Sequence, residues 1–444
     1  MMGTVVLEES ARPVPAGRYD YSRTMKPPDL LPRKSPRRVL LRAAPKVAGA
    51  ALMVPAVAAV SAVAVDLVKR RGRKHRRAPR PGTFHAQVEE SQLSIYTDGA
   101  SLYQDMIEAI DGAQDSVFME AYIWKNDEVG QRFVDAFNAA ADRGVAVYIT
   151  YDGFANLVVP GSFYRQLTDN IEVYRLPAII RKAWKGPLRY TAVNHSKVLV
   201  VDNKTSFVGG YNIGSLFARE WRDTHLREIG PTAGGLRQTI ARKWNEDRPL
   251  EEQIPWAPPS SWDPTVQVAA NLPMDLVYPI RNMYLKAIER AQHHVLISTP
   301  YFIPDQQILG ALQRAAERGV DVQVMLPKNS NHVLGDWVSR GFYGQLLDSG
   351  ISILLYTSSM MHSKTATIDG EWSTIGTANI DRLSLSFNYE SNVEIIHQGF
   401  AAEMEKVFRS DAAHCEVVDP RQWRDRNPLA RATEFALIPF RPLL

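Results

Sequence analysis

Two copies of one short pattern decide the fold: HSKVLVVD at residues 195–202 and HSKTATID at residues 362–369. In each copy the histidine is followed by lysine after two positions, aspartate after seven, glycine after fourteen and asparagine after seventeen. The two asparagines are Asn212 and Asn379. Five residue types repeated at equal spacing indicate an internal duplication.

The duplication extends to the sequence that precedes each copy. AQDSVFME at 113–120 matches AQHHVLIS at 291–298, and AADRGVAV at 140–147 matches AAERGVDV at 315–322. Each half contains a strand, a helix that ends at a glycine, and a second strand. Such units are typical of a largely parallel sheet with helices packed on it.

We therefore predict an α/β protein made of two homologous halves related by a pseudo-twofold axis. The first half contains an additional segment at 154–190 that the second half lacks. This insertion suits either a loop that dips into a lipid interface or the wall of a substrate pocket. The predicted boundaries are 90–248 for the first half, 249–271 for a Pro/Trp-rich linker and 272–444 for the second half.

The net charge of +4 averages over two unlike parts of the chain. Residues 1–80 carry 18 Lys and Arg against 5 Asp and Glu, a net charge of +13, and the remaining 34 basic and 43 acidic residues give −9. A basic leader joined to an acidic body favours contact with a membrane or a nucleic acid through the leader. The single cysteine, Cys415, excludes an internal disulfide framework.

An uncharged, Ala/Val-rich run lies at 47–65 between two basic clusters. We predict a disordered leader at 1–46, a membrane anchor helix at 47–68 and a polybasic linker at 69–89, with the body on the cytoplasmic side. Two alternatives stay open. The PRRVLL stretch at 36–41 resembles a twin-arginine export signal, and the run could also be a buried core helix.

The repeated pattern also indicates where the chemistry lies. His195 and Lys197 directly precede the apolar run VLVV, which we interpret as a buried strand. Side chains two apart on a strand share a face, so this pair points one way, as do His362 and Lys364. If the halves pack about the pseudo-twofold axis, both pairs converge on one cleft.

Such a cleft suits a phosphate diester. Lysine and asparagine side chains can hold the non-bridging oxygens and stabilise the charge of a five-coordinate state. One histidine can attack phosphorus while the other protonates the leaving oxygen. No carboxylate cluster with metal-ligand spacing accompanies the pattern, so we expect the lysines to act in place of a metal, and we predict no cofactor.

These features resemble the phospholipase D superfamily, which is defined by two H-x-K-x4-D motifs, over about residues 90–444. Within it, the chain is most similar to bacterial cardiolipin synthases. The stretches that carry the similarity are EAYIW at 120–124, WRDTHL at 221–226, TPYFIPD at 299–305, NIDRLSLSFNYE at 379–390 and FRPLL at 440–444.

The resemblance implies ping-pong transfer of a phosphatidyl group, with phosphatidylglycerol the expected lipid substrate. His195 would form the phosphohistidine, and His362 would act first as general acid and then as general base. Asp223 and Glu390 occupy positions where an acidic residue orients a histidine, but which carboxylate serves which histidine stays open.

Other motif residues carry weaker expectations. Asp202 and Asp369 are grouped with the catalytic residues because they complete the motifs, although an aspartate that ends a strand more often fixes the following turn. Gly210 and Thr377 stand where the family commonly has serine, which would at most weaken a hydrogen bond. The family commonly has two N-terminal membrane helices, and this chain shows one candidate.

Four functions are compatible with the motifs. The sequence favours a membrane-associated phosphatidyltransferase of the cardiolipin synthase type over a phospholipase D that uses water as acceptor. A nucleic-acid phosphodiesterase would need a basic surface, which the −9 body lacks, so no nucleic-acid partner is expected. A catalytically inactive lipid-binding protein would not need two complete motifs.

Overall fold

The structure is a computed structural model that describes residues 78–177, 192–246, 248–256, 264–438 and 441. The predicted leader and anchor helix lie outside the described residues, and so do residues 69–77 of the polybasic linker, residues 178–190 of the insertion and residues 257–263 of the Pro/Trp-rich linker. Within the described ranges, no helix is both long enough and apolar enough to cross a bilayer.

The first half alternates strands with helices. Its strands are β1 (Thr83–Val88), β2 (Ser91–Tyr96), β3 (Ser116–Ala121), β4 (Ala146–Asp152), β5 (Glu172–Leu176), β6 (Val198–Val201), β7 (Thr205–Gly209), β8 (Trp221–Arg222) and β9 (His225–Ile229). Its helices are α1 (Gly99–Asp111), α2 (Glu128–Asp142), α3 (Gly161–Tyr164), α4 (Ser215–Glu220) and α5 (Thr232–Asn245). Among the described residues, eight strands form a sheet in the order β1-β2-β9-β7-β6-β3-β4-β5.

The second half repeats this plan. Its strands are β10 (Val266–Asn271), β11 (His294–Ser298), β12 (Phe302–Ile303), β13 (Asp321–Pro327), β14 (Ser352–Tyr356), β15 (Met360–Met361), β16 (Thr365–Ile368), β17 (Trp372–Gly376), β18 (Ile380–Asp381), β19 (Glu390–Ile396) and β20 (Cys415–Val417). Its helices are α6 (Pro279–Arg290), α7 (Gln306–Glu317), α8 (Val333–Asp348), α9 (Arg382–Ser386), α10 (Gln398–Ala412), α11 (Pro420–Arg424) and α12 (Pro428–Ala436). The described strands of its large sheet run β10-β19-β17-β16-β11-β13-β14-β20, which repeats the order of the first sheet from β2 to β5.

The predicted helix ends are confirmed in both halves. Helices α2 and α7 end at Asp142 and Glu317, and one capping arginine separates each helix from Gly144 or Gly319. Both glycines have φ of +89°, a left-handed conformation that a residue with a Cβ adopts only at a cost. This glycine turn, present in both halves, lets the chain pass directly from the helix into the next parallel strand.

The sheets are mixed, and the prediction of largely parallel sheets is wrong. Parallel pairing is confined, within each large sheet, to β3-β4-β5 and to β11-β13-β14. The other neighbours in these sheets are antiparallel. Strand β6 is joined to β7, and β16 to β17, by only three residues, and a parallel connection needs a much longer crossover.

The two halves share a buried core. Helices α1 and α2 cover the outer face of the first sheet, and α6, α7 and α8 cover the outer face of the second. Between the sheets, apolar residues of α5 and α10 pack with inward-facing residues such as Val200 and Val393. Strand β6 is buried on both faces, which explains its uninterrupted apolar sequence.

The structure does not bring Asp202 and Asp369 into the cleft, which corrects their placement among the catalytic residues. Four residues of β6 separate Asp202 from Lys197, about 16 Å of extended chain. The Asp202 carboxylate accepts three backbone N–H bonds, at 2.8–2.9 Å, from residues 114–116 at the start of β3. Asp369 does the same with residues 292–294 at 2.7–2.8 Å. These carboxylates tie a hairpin turn to the neighbouring strand.

We predict that Asp369→Asn lowers the free energy of unfolding by about 1–2 kcal/mol while the rate of catalysis is retained, because an amide cannot accept all three bonds. Denaturant unfolding and initial-rate assays on the same preparations measure both effects. Glu317→Gln, a change at an exposed carboxylate, is the control. Loss of activity with unchanged stability would instead place Asp369 in the reaction.

Candidate active site

The motif histidines are paired with carboxylates across the boundary between the halves. His195, in the first half, has Nδ1 at 3.0 and 3.1 Å from the two carboxylate oxygens of Glu390, in the second half. His362, in the second half, has Nδ1 at 2.6 Å from Oδ2 of Asp223, in the first half. The four side chains are at most 12% exposed. The pairing that the sequence leaves open is therefore crossed.

Backbone hydrogen bonds across the same boundary hold the crossing in register. The N–H of His195 donates to the carbonyl oxygen of Tyr389 at 3.0 Å, and the N–H of His362 donates to that of Arg222 at 2.7 Å. Each accepting residue directly precedes the carboxylate that meets the imidazole. The backbone hydrogen bond therefore places the carboxylate next to the imidazole ring, and the same arrangement occurs in both dyads.

The motif lysines lie beside their histidines, as the strand periodicity predicts. Lys197 donates from Nζ to the carbonyl oxygen of His195 at 2.6 Å. Lys364 has Nζ at 2.8 Å from Nδ1 and 3.1 Å from Nε2 of His362, and it also donates to the carbonyl oxygen of that histidine. Lys364 affects the pKa values of both His195 and Lys197, so the two motif pairs lie close together.

Two aromatic rings that the motif analysis did not select line the site. The Tyr122 ring lies edge-on to the His195 imidazole, with 4.5 Å between centroids, and Lys197 Nζ lies 4.8 Å from the centre of the same ring. The Trp221 ring lies 4.7 Å from the His362 imidazole. Both rings fall within the stretches that carry the family resemblance, and this is the signal that could have identified them.

Burial and the lysine charges keep both histidines neutral. Burial lowers the pKa of His362 to about 3, assisted by Lys364 and opposed by Asp223. Burial also lowers the pKa of His195; Glu390 opposes this effect, and Lys197 adds to it. Because an ionised carboxylate only accepts hydrogen bonds, each Nδ1 carries the proton and each Nε2 carries the lone pair, which on His362 lies 3.1 Å from Nζ of Lys364.

The carboxylates remain ionised in this site. Burial alone would raise the pKa of Asp223, but the charge of Lys364 and the contact with His362 lower it overall. Glu390 follows the same pattern, with burial outweighed by His195 and Lys197. Each dyad therefore consists of a neutral imidazole and an anionic carboxylate.

The two lysines are unusually acidic for ammonium groups. Burial, followed by repulsion from Lys364, lowers the pKa of Lys197 to about 7. Burial lowers the pKa of Lys364 to about 8. A bound anion between the two ammonium groups would relieve both effects, so the site is electrostatically suited to a phosphate group.

Asn212 and Asn379 are both buried, but their surroundings differ. The side-chain oxygen of Asn212 accepts from the backbone N–H of Ile123 at 3.2 Å. The backbone carbonyl oxygen of Asn212 accepts from the Tyr103 hydroxyl. The side-chain oxygen of Asn379 has no hydrogen-bond partner among the described residues. Contact of these two amides with phosphate stays a prediction.

The two departures from the family pattern have different structural consequences. A Cβ on Gly210 would lie 1.9 Å from Oδ1 of Asp223, so a side chain there would displace that carboxylate. The Thr377 hydroxyl donates to Oε2 of Glu390 and accepts the backbone N–H of Ser391 at 2.9 Å. Threonine thus supplies the hydroxyl contact in one half, while glycine leaves room for the carboxylate in the other.

The arrangement can perform nucleophilic displacement at phosphorus. One free Nε2 can attack, the second imidazole can exchange a proton with the leaving or entering oxygen, and the lysines can stabilise negative charge. In the part of the chain that the structure describes, no group of three or more His, Cys, Asp or Glu side chains is arranged to hold a metal ion.

A family model described as "Cardiolipin synthase, PLD-like domain" matches residues 106–221 and 284–412, more than half of the chain. The chain belongs to this family. Its two matched segments coincide with the two halves of the fold, and the family is one of phospholipid-modifying enzymes of the phospholipase D superfamily.

Individual relatives agree with this membership. The chain is 31% identical over 377 residues to a cardiolipin synthase of Clostridium perfringens (strain SM101 / Type A), which covers 80% of this chain and 78% of the relative. It is 33% identical over 355 residues to a cardiolipin synthase of Staphylococcus aureus (strain Mu50 / ATCC 700699), covering 76% and 70%.

A solved structure of a phosphatidylserine synthase from Haemophilus influenzae Rd KW20 has the same fold. Its TM-score is 0.61 at 16% sequence identity, and the match covers 82% of this chain and 97% of that one. At this identity the likeness concerns the fold alone.

For this member of the cardiolipin synthase family, we predict that kcat/KM falls as the pH rises through about 7 to 8, because deprotonation of Lys197 and Lys364 removes positive charge. The Lys197→Arg variant keeps its charge, so its alkaline limb should move to higher pH even if its maximal rate is lower. Profiles of kcat/KM between pH 6 and 9.5 measure this. A wild-type profile that is flat over that range would contradict the lowered pKa values.

Proposed function

We propose that the protein synthesises cardiolipin by transferring a phosphatidyl group from one phosphatidylglycerol to a hydroxyl group of another. The observation that carries this proposal is the pair of crossed dyads, which supplies two neutral imidazoles whose Nε2 atoms carry the lone pairs. The named activity of the relatives supports the choice of lipid.

In the first step, Nε2 of His195 attacks phosphorus and the bond from phosphorus to the glycerol oxygen breaks. His362 gives a proton to that oxygen, and glycerol leaves. The phosphate of the substrate brings a negative charge close to His362, which favours the protonated imidazolium that this role requires. Asp223 stabilises the same imidazolium.

In the second step, His362 accepts the proton of the hydroxyl group on a second phosphatidylglycerol. That oxygen attacks phosphorus, and the bond from phosphorus to His195 breaks, which restores the neutral imidazole. Lys197 and Lys364, with the amides of Asn212 and Asn379, hold the non-bridging oxygens in both steps. Water in place of the second lipid would give phosphatidic acid instead.

We further propose that the cleft edge of the body faces a bilayer. The loop after β4 lies at this edge, since Asp152 accepts from the N–H of Asn194, the residue before His195, at 3.0 Å. The loop side chains Phe154, Leu157 and Val158 are between 58% and 82% exposed. An apolar rim beside a cleft for lipid headgroups supports insertion at the membrane interface. The segment at 47–68 would anchor the body, on the cytoplasmic side.

The test uses the full-length protein and vesicles that contain phosphatidylglycerol with a labelled headgroup. Wild type should release free glycerol and form cardiolipin, and His195→Ala should lose about 10³-fold or more of the activity. His293→Ala, an exposed histidine outside the motifs, is the matched control and should retain activity. Phosphatidic acid as the sole lipid product would contradict transfer and indicate hydrolysis.

A further inference from the structure

A hydroxyl pair lies one residue beyond each crossed dyad, across the same boundary between the halves. Ser196 and Ser391 have their Oγ atoms 3.2 Å apart, and Thr224 donates from Oγ1 to Oγ of Ser363 at 3.0 Å. Each of these four residues directly follows a histidine or a carboxylate of a dyad, and each is at most 1% exposed. The chain therefore makes a second polar contact beside each catalytic one.

The first hydroxyl pair is attached to a buried ion pair. Lys243 of α5 donates from Nζ to Oγ of Ser196 and to Oε2 of Glu120, both at 2.8 Å. The other oxygen of Glu120 accepts from the side-chain amide of Asn194 at 3.1 Å. Lysine and glutamate together therefore hold the residue before His195 and the residue after it.

The second hydroxyl pair is attached to a different buried ion pair. Arg222 donates to both carboxylate oxygens of Asp411, on α10, at 2.8 and 2.7 Å. Its Nη1 donates to Oγ1 of Thr224 at 3.2 Å and to the carbonyl oxygen of Asp223. Since the carbonyl oxygen of Arg222 accepts the N–H of His362, this one residue touches both sides of the second dyad.

The two ion pairs are not copies made by the duplication. In the repeat, Glu120 corresponds to Ser298, and Arg222, which precedes Asp223, corresponds to Tyr389, which precedes Glu390. Burying an ion pair adds little stability, because desolvation of both charges offsets their attraction. What the two different pairs share is their attachment to a dyad, and this points to a role in the geometry of the site.

We propose that Lys243–Glu120 and Arg222–Asp411 are positioning devices, each of which holds one crossed dyad in its reactive geometry through the adjoining hydroxyl pair. Lys243, Glu120, Arg222 and Asp411 act through other residues and do not touch the substrate. A displacement of about 1 Å at a reacting group can lower a rate about 100-fold, so small changes here should be measurable. The kinetic part of this inference rests on the proposed phosphatidyl transfer.

The kinetic test compares Ser196→Ala, which keeps the ion pair but removes its link, with Lys243→Met/Glu120→Gln, which removes both charges. Each variant should lower kcat about 10- to 100-fold and leave KM within about threefold, since the lipid contacts are intact. Arg426→Met removes an ion pair with Glu434 away from the dyads and is the control for destabilisation. Unchanged kcat in the first two variants, or an equal fall in the control, would overturn the proposal.

A second measurement needs no substrate and separates this inference from the proposed function. Proton NMR of the imidazole Nδ1–H of His195 reports its hydrogen bond to Glu390 directly. The resonance should shift in Ser196→Ala and in Lys243→Met/Glu120→Gln, and it should stay in place in Arg426→Met. An unshifted resonance in the folded variants contradicts the positioning role, whereas absence of lipid turnover by wild type contradicts only the proposed function.

Discussion

The exchange of carboxylates between the halves is the constraint on which the rest of the structure depends. Neither half holds a complete dyad, because Glu390 of the second half contacts His195 and Asp223 of the first half contacts His362. The cleft therefore exists only when both halves are folded and docked. The shared core between the sheets, with α5 and α10 inside it, makes this docking a part of the fold.

The same exchange explains the electrostatics of the site. Docking buries two lysines and two histidines together, and burial lowers the pKa of Lys197 to about 7 and that of His362 to about 3. The two anionic carboxylates compensate for part of the desolvated positive charge. The result is a small positive site in a body whose net charge is negative, so the charge of the whole chain is no guide to its substrate.

Much of this arrangement could be predicted from the sequence, because the duplication repeats the same residue pattern in both halves. The glycine turns, the two halves and the shared face of each His–Lys pair followed from spacing and strand periodicity. The antiparallel pairing did not, because strand–helix–strand units dominate the pattern while short hairpins set the remaining strand directions. Asp202 and Asp369 share the motif but lie at the other end of its strand.

The crossed pairing, the aromatic rings and the buried ion pairs depend on contacts between residues far apart in the chain. Local periodicity carries no information on which carboxylate meets which imidazole, and the repeat does not mark Glu120, because its counterpart is Ser298. The crossed pairing could be found only once the docking of the halves was known, since it is a property of the boundary between them.

The central claim is the crossing, and NMR of the imidazole nitrogens in the full-length protein labelled with ¹⁵N-histidine tests it most directly. Removal of one carboxylate charge should change the tautomer and nitrogen shifts of only the histidine that it contacts. The account predicts that Glu390→Gln alters His195 and leaves His362 unchanged, and that Asp223→Asn does the reverse. The opposite assignment, with each carboxylate acting on the histidine of its own half, would contradict it.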